Sequence, residues 1–138
     1  MIEYDKFQKS LKHLEVMYEY YKVMDDSVPD LLKEAVPESV IRRFETCFDS
    51  MWKVLKRYLF EEMGLAEIPN SPKPLLRIAN ENNILDTDIK IWFHYLQLRN
   101  STSHDYNGEK AKKALQSMDD YITDAIGLYE KISGETWH

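Results

Sequence analysis

VIRRFETCFDSMWKVLKRYLFEEMG, residues 40–64, decides the fold class. Val40, Ile41, Phe44, Phe48, Met51, Trp52, Leu55, Tyr58 and Leu59 recur at intervals of three and four, which puts them on one side of an α-helix. A helix over residues 38–63 would be on the order of 35–40 Å long at ~1.5 Å per residue, enough to span a small domain. Gly64 marks its end. Glu45, Asp49, Lys53 and Arg57 step by four through the same stretch, and this spacing predicts a solvated, charge-paired face.

The segments on either side repeat the pattern. Upstream, residues 4–24 carry Phe7, Leu11, Leu14, Met17, Tyr18, Tyr21 and Met24 on a second helical stripe. DDSVPD (25–30) breaks it, with Asp26 or Ser27 as a cap and Pro29 suited to a first helical turn. DLLKEAV (30–36) reads as a short helical piece stopped by Pro37. Downstream, IPNSPKP (68–74) holds three of the five prolines in seven residues and is a loop. A helix of about ten residues follows Pro74. Asp86 or Thr87 can cap the next helix, which carries Ile89, Trp92, Phe93 and Leu96 inward and ends near Arg99 and Asn100. Asn107 can cap the last, whose stripe runs from Ala111 to Ile132. With no repeat and no alternating pattern, the expected architecture is all-α: an antiparallel bundle of four to five helices forming one domain over residues 1–138.

The totals agree with that reading. A chain of 138 residues, 43% hydrophobic and 30% charged, suits one soluble core. Four glycines are too few for a turn-rich β fold. No apolar run is long enough to cross a membrane, and MIEYDKFQKS lacks the apolar centre of a signal peptide. The single Cys47 excludes an internal disulfide and a cysteine-based zinc site, so a cytoplasmic location is expected. His13, His94, His104 and His138 show no metal-ligand spacing, and no glycine-rich phosphate loop is present, so neither metal nor cofactor is expected. The net charge of −6 argues against a general nucleic-acid coat, and an RNA substrate would have to be drawn to a local basic site.

LRNSTSHDYN, residues 98–107, holds more chemistry than a helix end requires. In a continuing helix Arg99 and His104 would lie about 140° apart. The hydroxyl and amide side chains between them favour local bonds to the backbone and oppose continuation. A turn over 101–107 would let Arg99, His104 and Tyr106 point into one cleft; the plainer alternative is a capped polar turn. Histidine ordinarily titrates near pH 6.5 and suits proton transfer at neutral pH, and arginine stays charged and can grip phosphate oxygens in pairs.

Arg99, four residues, His104, one residue and Tyr106 form a pattern that resembles the R-x4-H-x-Y signature of the HEPN superfamily. IRRFETCFDSMWKVLK (41–56), with Arg43-Phe44-Glu45 and Trp52-Lys53, resembles the long helix of HEPN proteins of the nucleotidyltransferase substrate-binding type. SPKPLLRIANENNILD (71–86), a tryptophan, and then RNSTSHDYN (99–107) follow the same order, so the resemblance spans roughly residues 38–115. It implies a small helical subunit, commonly a homodimer, encoded beside a minimal nucleotidyltransferase. In many such pairs the HEPN subunit is a metal-independent endoribonuclease toxin and the nucleotidyltransferase its antitoxin. On that reading Arg99 and His104 are the catalytic pair, Asn100 is a polar support, and Tyr106 is the residue that receives AMP. The rival expectations are a non-catalytic subunit presenting substrate to the nucleotidyltransferase, and a structural bundle in which the motif only stabilises a turn.

Overall fold

The apolar stripe of residues 40–59 lies on α2, which in the computed structural model, describing all 138 residues, runs from Asp30 to Glu61. Pro37 therefore sits inside this helix and does not stop it. Proline removes one N–H and crowds the preceding turn. The carbonyl left without a helical partner belongs to Lys33, an exposed residue open to solvent, while buried Val36, Val40 and Ile41 carry the apolar stripe past the proline. At ~1.5 Å per residue the helix is about 48 Å long. Near its end Gly64 adopts φ +69°, a left-handed conformation that an L side chain resists, and the Leu65 N–H turns back to the Leu59 carbonyl at 3.1 Å.

Helix α1, Asp5–Val23, packs along α2 in the opposite direction, since Arg57 near the end of α2 reaches the carbonyl of Met1. After the proline loop come α3, Pro72–Glu81, and α4, Ile89–Ser101. A one-turn 3₁₀ segment, Thr102–His104, precedes α5, Glu109–Gln116, and α6, Met118–Ser133. Tyr4 at the start of α1 donates to the carbonyl of Ile132 at the end of α6, and Tyr18 late in α1 reaches Asp119 early in α6, so these helices are antiparallel too. The result is an all-helical bundle of six α-helices with α1, α2, α4 and α6 as the long members.

The stripe expected to form a single last helix is divided at Ser117, whose N–H bonds three residues back to Ala114. This tightened turn redirects the chain without disturbing the spacing of apolar residues, which is why periodicity does not show it. The core joins α2, α4 and α6 through edge-on aromatic contacts: Phe44–Tyr121 at 4.9 Å, Tyr95–Tyr121 at 5.2 Å and Trp92–Tyr95 at 5.4 Å between centroids. Cys47 lies within it and accepts from the Tyr121 hydroxyl; burial pushes its thiol up to about 12, so it stays protonated and unreactive. No helix is long and apolar enough to cross a membrane.

Candidate functional site

The capping residue of α4 is Asp88, which accepts from the Lys90 N–H at 2.8 Å. The expected caps are engaged elsewhere: Asp86 pairs with Lys131 at 2.7 Å and Thr87 donates to Asp124 at 2.8 Å, tying the start of α4 to α6. From Asp88 the helical period brings Arg99 onto the same face as buried Trp92 and Tyr95, seven and four residues earlier, and so towards α2.

There Arg99 meets two carboxylates. Its Nε and Nη2 donate to the two oxygens of Asp49 at 3.1 and 3.0 Å, and its Nη1 lies 3.6 Å from Glu45 Oε2. The paired hydrogen bonds to Asp49 and the charge of Glu45 raise the pKa of Arg99 further, so it remains a cation at every accessible pH. The expected solvated face of α2 is thus divided. Glu45 and Asp49 turn towards Arg99, Arg57 pairs with Glu61, and Lys53 is exposed. A signal for this was present: Glu45 sits four residues after Ile41 and three before Phe48, within the apolar stripe, and a buried carboxylate needs a partner.

The turn that follows explains the run of hydroxyls. Ser101 Oγ donates to the Leu98 carbonyl at 3.1 Å and Ser103 Oγ to that of Asn100 at 2.9 Å, satisfying carbonyls at the end of α4. Thr102 is fully buried and donates to Glu45 Oε2 at 2.8 Å. Thr102→Val keeps the shape and removes this donor, leaving Glu45 under-satisfied; a loss of about 1–3 kcal/mol in a urea melt is expected, and an unchanged midpoint would show the bond to be dispensable.

His104 closes the turn and is exposed. Asp105, rather than Asn107, then caps α5, accepting from the N–H groups of Gly108 at 2.7 Å and Lys110 at 3.2 Å. The approach of Asp105 to Gly108 is so close that a Cβ at residue 108 would collide with its carboxylate. Gly108→Ala should therefore displace the cap next to His104, costing ~1 kcal/mol of stability, with Asp105→Ala giving a similar drop; thermal melts of the two variants and of the pair check this, and additive losses would separate the glycine from the cap.

Tyr106 is half-buried, with the Arg42 guanidinium 4.8 Å from its ring centre, and it lines a groove of ≈330 Å³ with Tyr21, Pro37 and Lys112. Asn100 is exposed and faces another groove, of ≈570 Å³, with Lys73, Lys90, Phe93 and His94. His94 is also exposed, its Nε2 3.3 Å from Ser117 Oγ. The motif residues therefore cluster around one helix end, with different surroundings: Arg99 clamped, His104 open, Tyr106 beneath Arg42, and Asn100 towards α3. Arg99 keeps donors to spare, since a guanidinium has five N–H groups and Asp49 takes one from Nε and one from Nη2.

A six-helix bundle whose longest helix fixes an arginine at the end of α4, with a histidine on the turn after it, defines a class of small helical proteins built around a polar helix junction. The model of the family described as "Nucleotidyltransferase substrate binding protein like" matches residues 2–134, and the chain belongs to this HEPN-type family. It is similar to a Haemophilus influenzae protein described as "Probable ribonuclease HepT", 27% identical over 109 residues, covering 78% of this chain and 74% of that one. It is also similar to a protein from Thermus thermophilus of known crystal structure, with a TM-score of 0.71, 29% identity, and 93% of this chain and 96% of that chain covered.

Proposed function

We propose that this protein is the HEPN component of a two-component pair with a minimal nucleotidyltransferase, acting as a metal-independent endoribonuclease toxin that adenylylation neutralises. The observation that carries the reading is the pairing of a clamped Arg99, with N–H groups left over, and an exposed His104 on the adjoining turn. His104 takes the proton of a ribose 2′-OH, the 2′-oxygen attacks the adjacent phosphorus, and the P–O5′ bond breaks. The products are a 2′,3′-cyclic phosphate and a 5′-hydroxyl. Arg99 binds the phosphate oxygens as negative charge builds on them, and Asp49 and Glu45 hold its rotamer in advance. The departing 5′-oxygen needs a proton, which the histidine of a second copy supplies in a two-fold dimer. The relative described as a ribonuclease supports this reading.

The rival reading is a non-catalytic subunit that presents substrate to the nucleotidyltransferase. It is favoured by the two carboxylates around Arg99, which together exceed its charge. Incubating the purified protein with single-stranded RNA and excess chelator separates the two. Cyclic-phosphate ends are expected, together with a dimer in light scattering at micromolar concentration. A monomer would remove the shared acid and base, and intact RNA at every concentration would leave the binding subunit.

A further inference from the structure

We propose that the groove between α1 and α2 binds the phosphate backbone of the RNA strand on its way to Arg99, an inference that rests on the ribonuclease reading above. The chain carries 24 acidic residues against 18 basic ones, yet one groove of ≈400 Å³ is lined only by bases and hydroxyls. Lys6, Lys9 and His13 recur at helical spacing along α1 and face Arg43 of α2. Ser10, Thr46 and Ser50 complete the lining, and neither an apolar side chain nor a carboxylate takes part. Lys6, Thr46 and Ser50 also line an adjoining groove of ≈610 Å³, which adds Lys53 and Arg57 and is of mixed character, with the carboxylates of Glu3, Asp5 and Asp49 and the apolar Phe7 and Val54 on its walls.

Two features select the ligand. Lys6, Lys9, Arg43 and Lys53 form none of the ion pairs of this acidic chain, although most other basic surface residues of α1 and α2 do. Arg43 donates from its Nε to Ser39 Oγ at 3.2 Å, which orients the guanidinium and leaves its terminal amino groups unassigned. The ≈400 Å³ groove, lined by Lys, Arg, His, Ser and Thr without an apolar anchor, has the composition that grips phosphate and sugar, whereas a protein partner would require aromatic or aliphatic residues at its centre.

The second feature is continuity. Asp49 borders the adjoining groove and holds Arg99 with the same carboxylate. Arg43 lies six residues before Asp49 and Lys53 four residues after it, about 9 Å and 6 Å along the helix axis. A strand with its scissile phosphate at Arg99 has flanking phosphates within reach of these cations. This surface supplies the local basic track that a chain of net charge −6 needs in order to hold RNA.

The test uses His104→Ala protein, which binds without cutting, and a fluorescently labelled single-stranded RNA of about twelve nucleotides followed by anisotropy across a salt series. Each phosphate contact contributes about 0.7 to the slope of log K against log salt for single strands. The double variants Lys6→Gln/Lys9→Gln and Arg43→Gln/Lys53→Gln are each expected to lower the slope by about 1.4 with unchanged thermal melts, while Lys131→Gln, outside the groove, leaves it unaltered. If the background binds RNA and neither double variant changes the slope, the groove is not the track, and the ribonuclease reading stands without it. If the background binds no RNA and the parent cuts none, both fall together. Loss of nucleotidyltransferase binding in the double variants, with RNA slopes intact, would make the surface a protein-docking face and overturn the proposal.

Discussion

Replacing His104 with alanine is expected to slow RNA cleavage by ~10²–10⁴-fold while leaving the melting temperature unchanged. Both halves of this outcome follow from position. The residue is exposed on a single 3₁₀ turn, so its removal opens no cavity, and on the proposed mechanism its loss takes away the group that moves the proton. Arg99→Ala should fall as far in rate, and it should also lose stability, because Glu45 and Asp49 then face each other without their cation. Breaking a fully buried ion pair costs ~3–5 kcal/mol; here the Asp49 side chain is 39% exposed, and water lowers the cost to about 1–2 kcal/mol. Arg99→Lys keeps the charge and loses the two-pronged contact, so it should recover stability better than rate. Cleavage timed on one labelled RNA, with urea melts of each variant, provides both readings. A His104→Ala protein that cuts within about twofold of the parent would remove this residue from the chemistry.

Adenylylation of Tyr106 is expected to abolish cleavage as completely as the loss of His104. In the transfer the Tyr106 oxygen attacks the α-phosphorus of ATP, pyrophosphate leaves, and the phenolic proton passes to solvent. The new phosphodiester brings a negative charge and a bulky nucleoside to a ring already covered by Arg42. Arg42 over the ring pairs with the attached phosphate, and the bulky nucleoside then competes with RNA for the junction that follows Arg99. Co-expression with a minimal nucleotidyltransferase, the proposed partner, should raise the intact mass by adenylyl units, with peptide mapping placing them on the segment containing Tyr106. Tyr106→Phe should escape both the added mass and the inhibition. Adenylyl groups found only on other tyrosines, or modified protein that still cuts at full rate, would return Tyr106 to a packing role against Arg42.

The number and order of the helices were largely legible because burial leaves a period in the sequence. Phe7, Leu11 and Leu14 on α1, and Phe44, Phe48, Met51 and Leu55 on α2, are all fully or almost fully buried, as their spacing of three and four required. Local exceptions were not legible. Pro37 reads as a stop because proline usually ends a helix, and only its placement beside exposed Lys33 made the lost hydrogen bond tolerable. Ser117 divides α5 from α6 by a tightened turn that leaves the apolar spacing intact. The helix caps shifted by one or two residues, from Thr87 to Asp88 and from Asn107 to Asp105, since several neighbouring side chains could have served and the backbone geometry chose among them.

By itself the sequence determined the all-helical class, the membership implied by Arg99, His104 and Tyr106, and the position of the polar junction after α4. These depend on residue type and separation along the chain, both of which are written in it. The tertiary structure decided what Arg99 is attached to. Asp49 lies 50 positions from Arg99 along the chain and Glu45 one helical turn farther, and each looked equally able to pair with a neighbour on α2 itself. Only the packing of α4 against α2 brings the guanidinium within 3.0 Å of Asp49 and sets buried Glu45 between Arg99 and the hydroxyl of Thr102. A contact between distant segments leaves no period for a sequence to carry, because the free energy that selects it belongs to the packed interface and not to either helix alone.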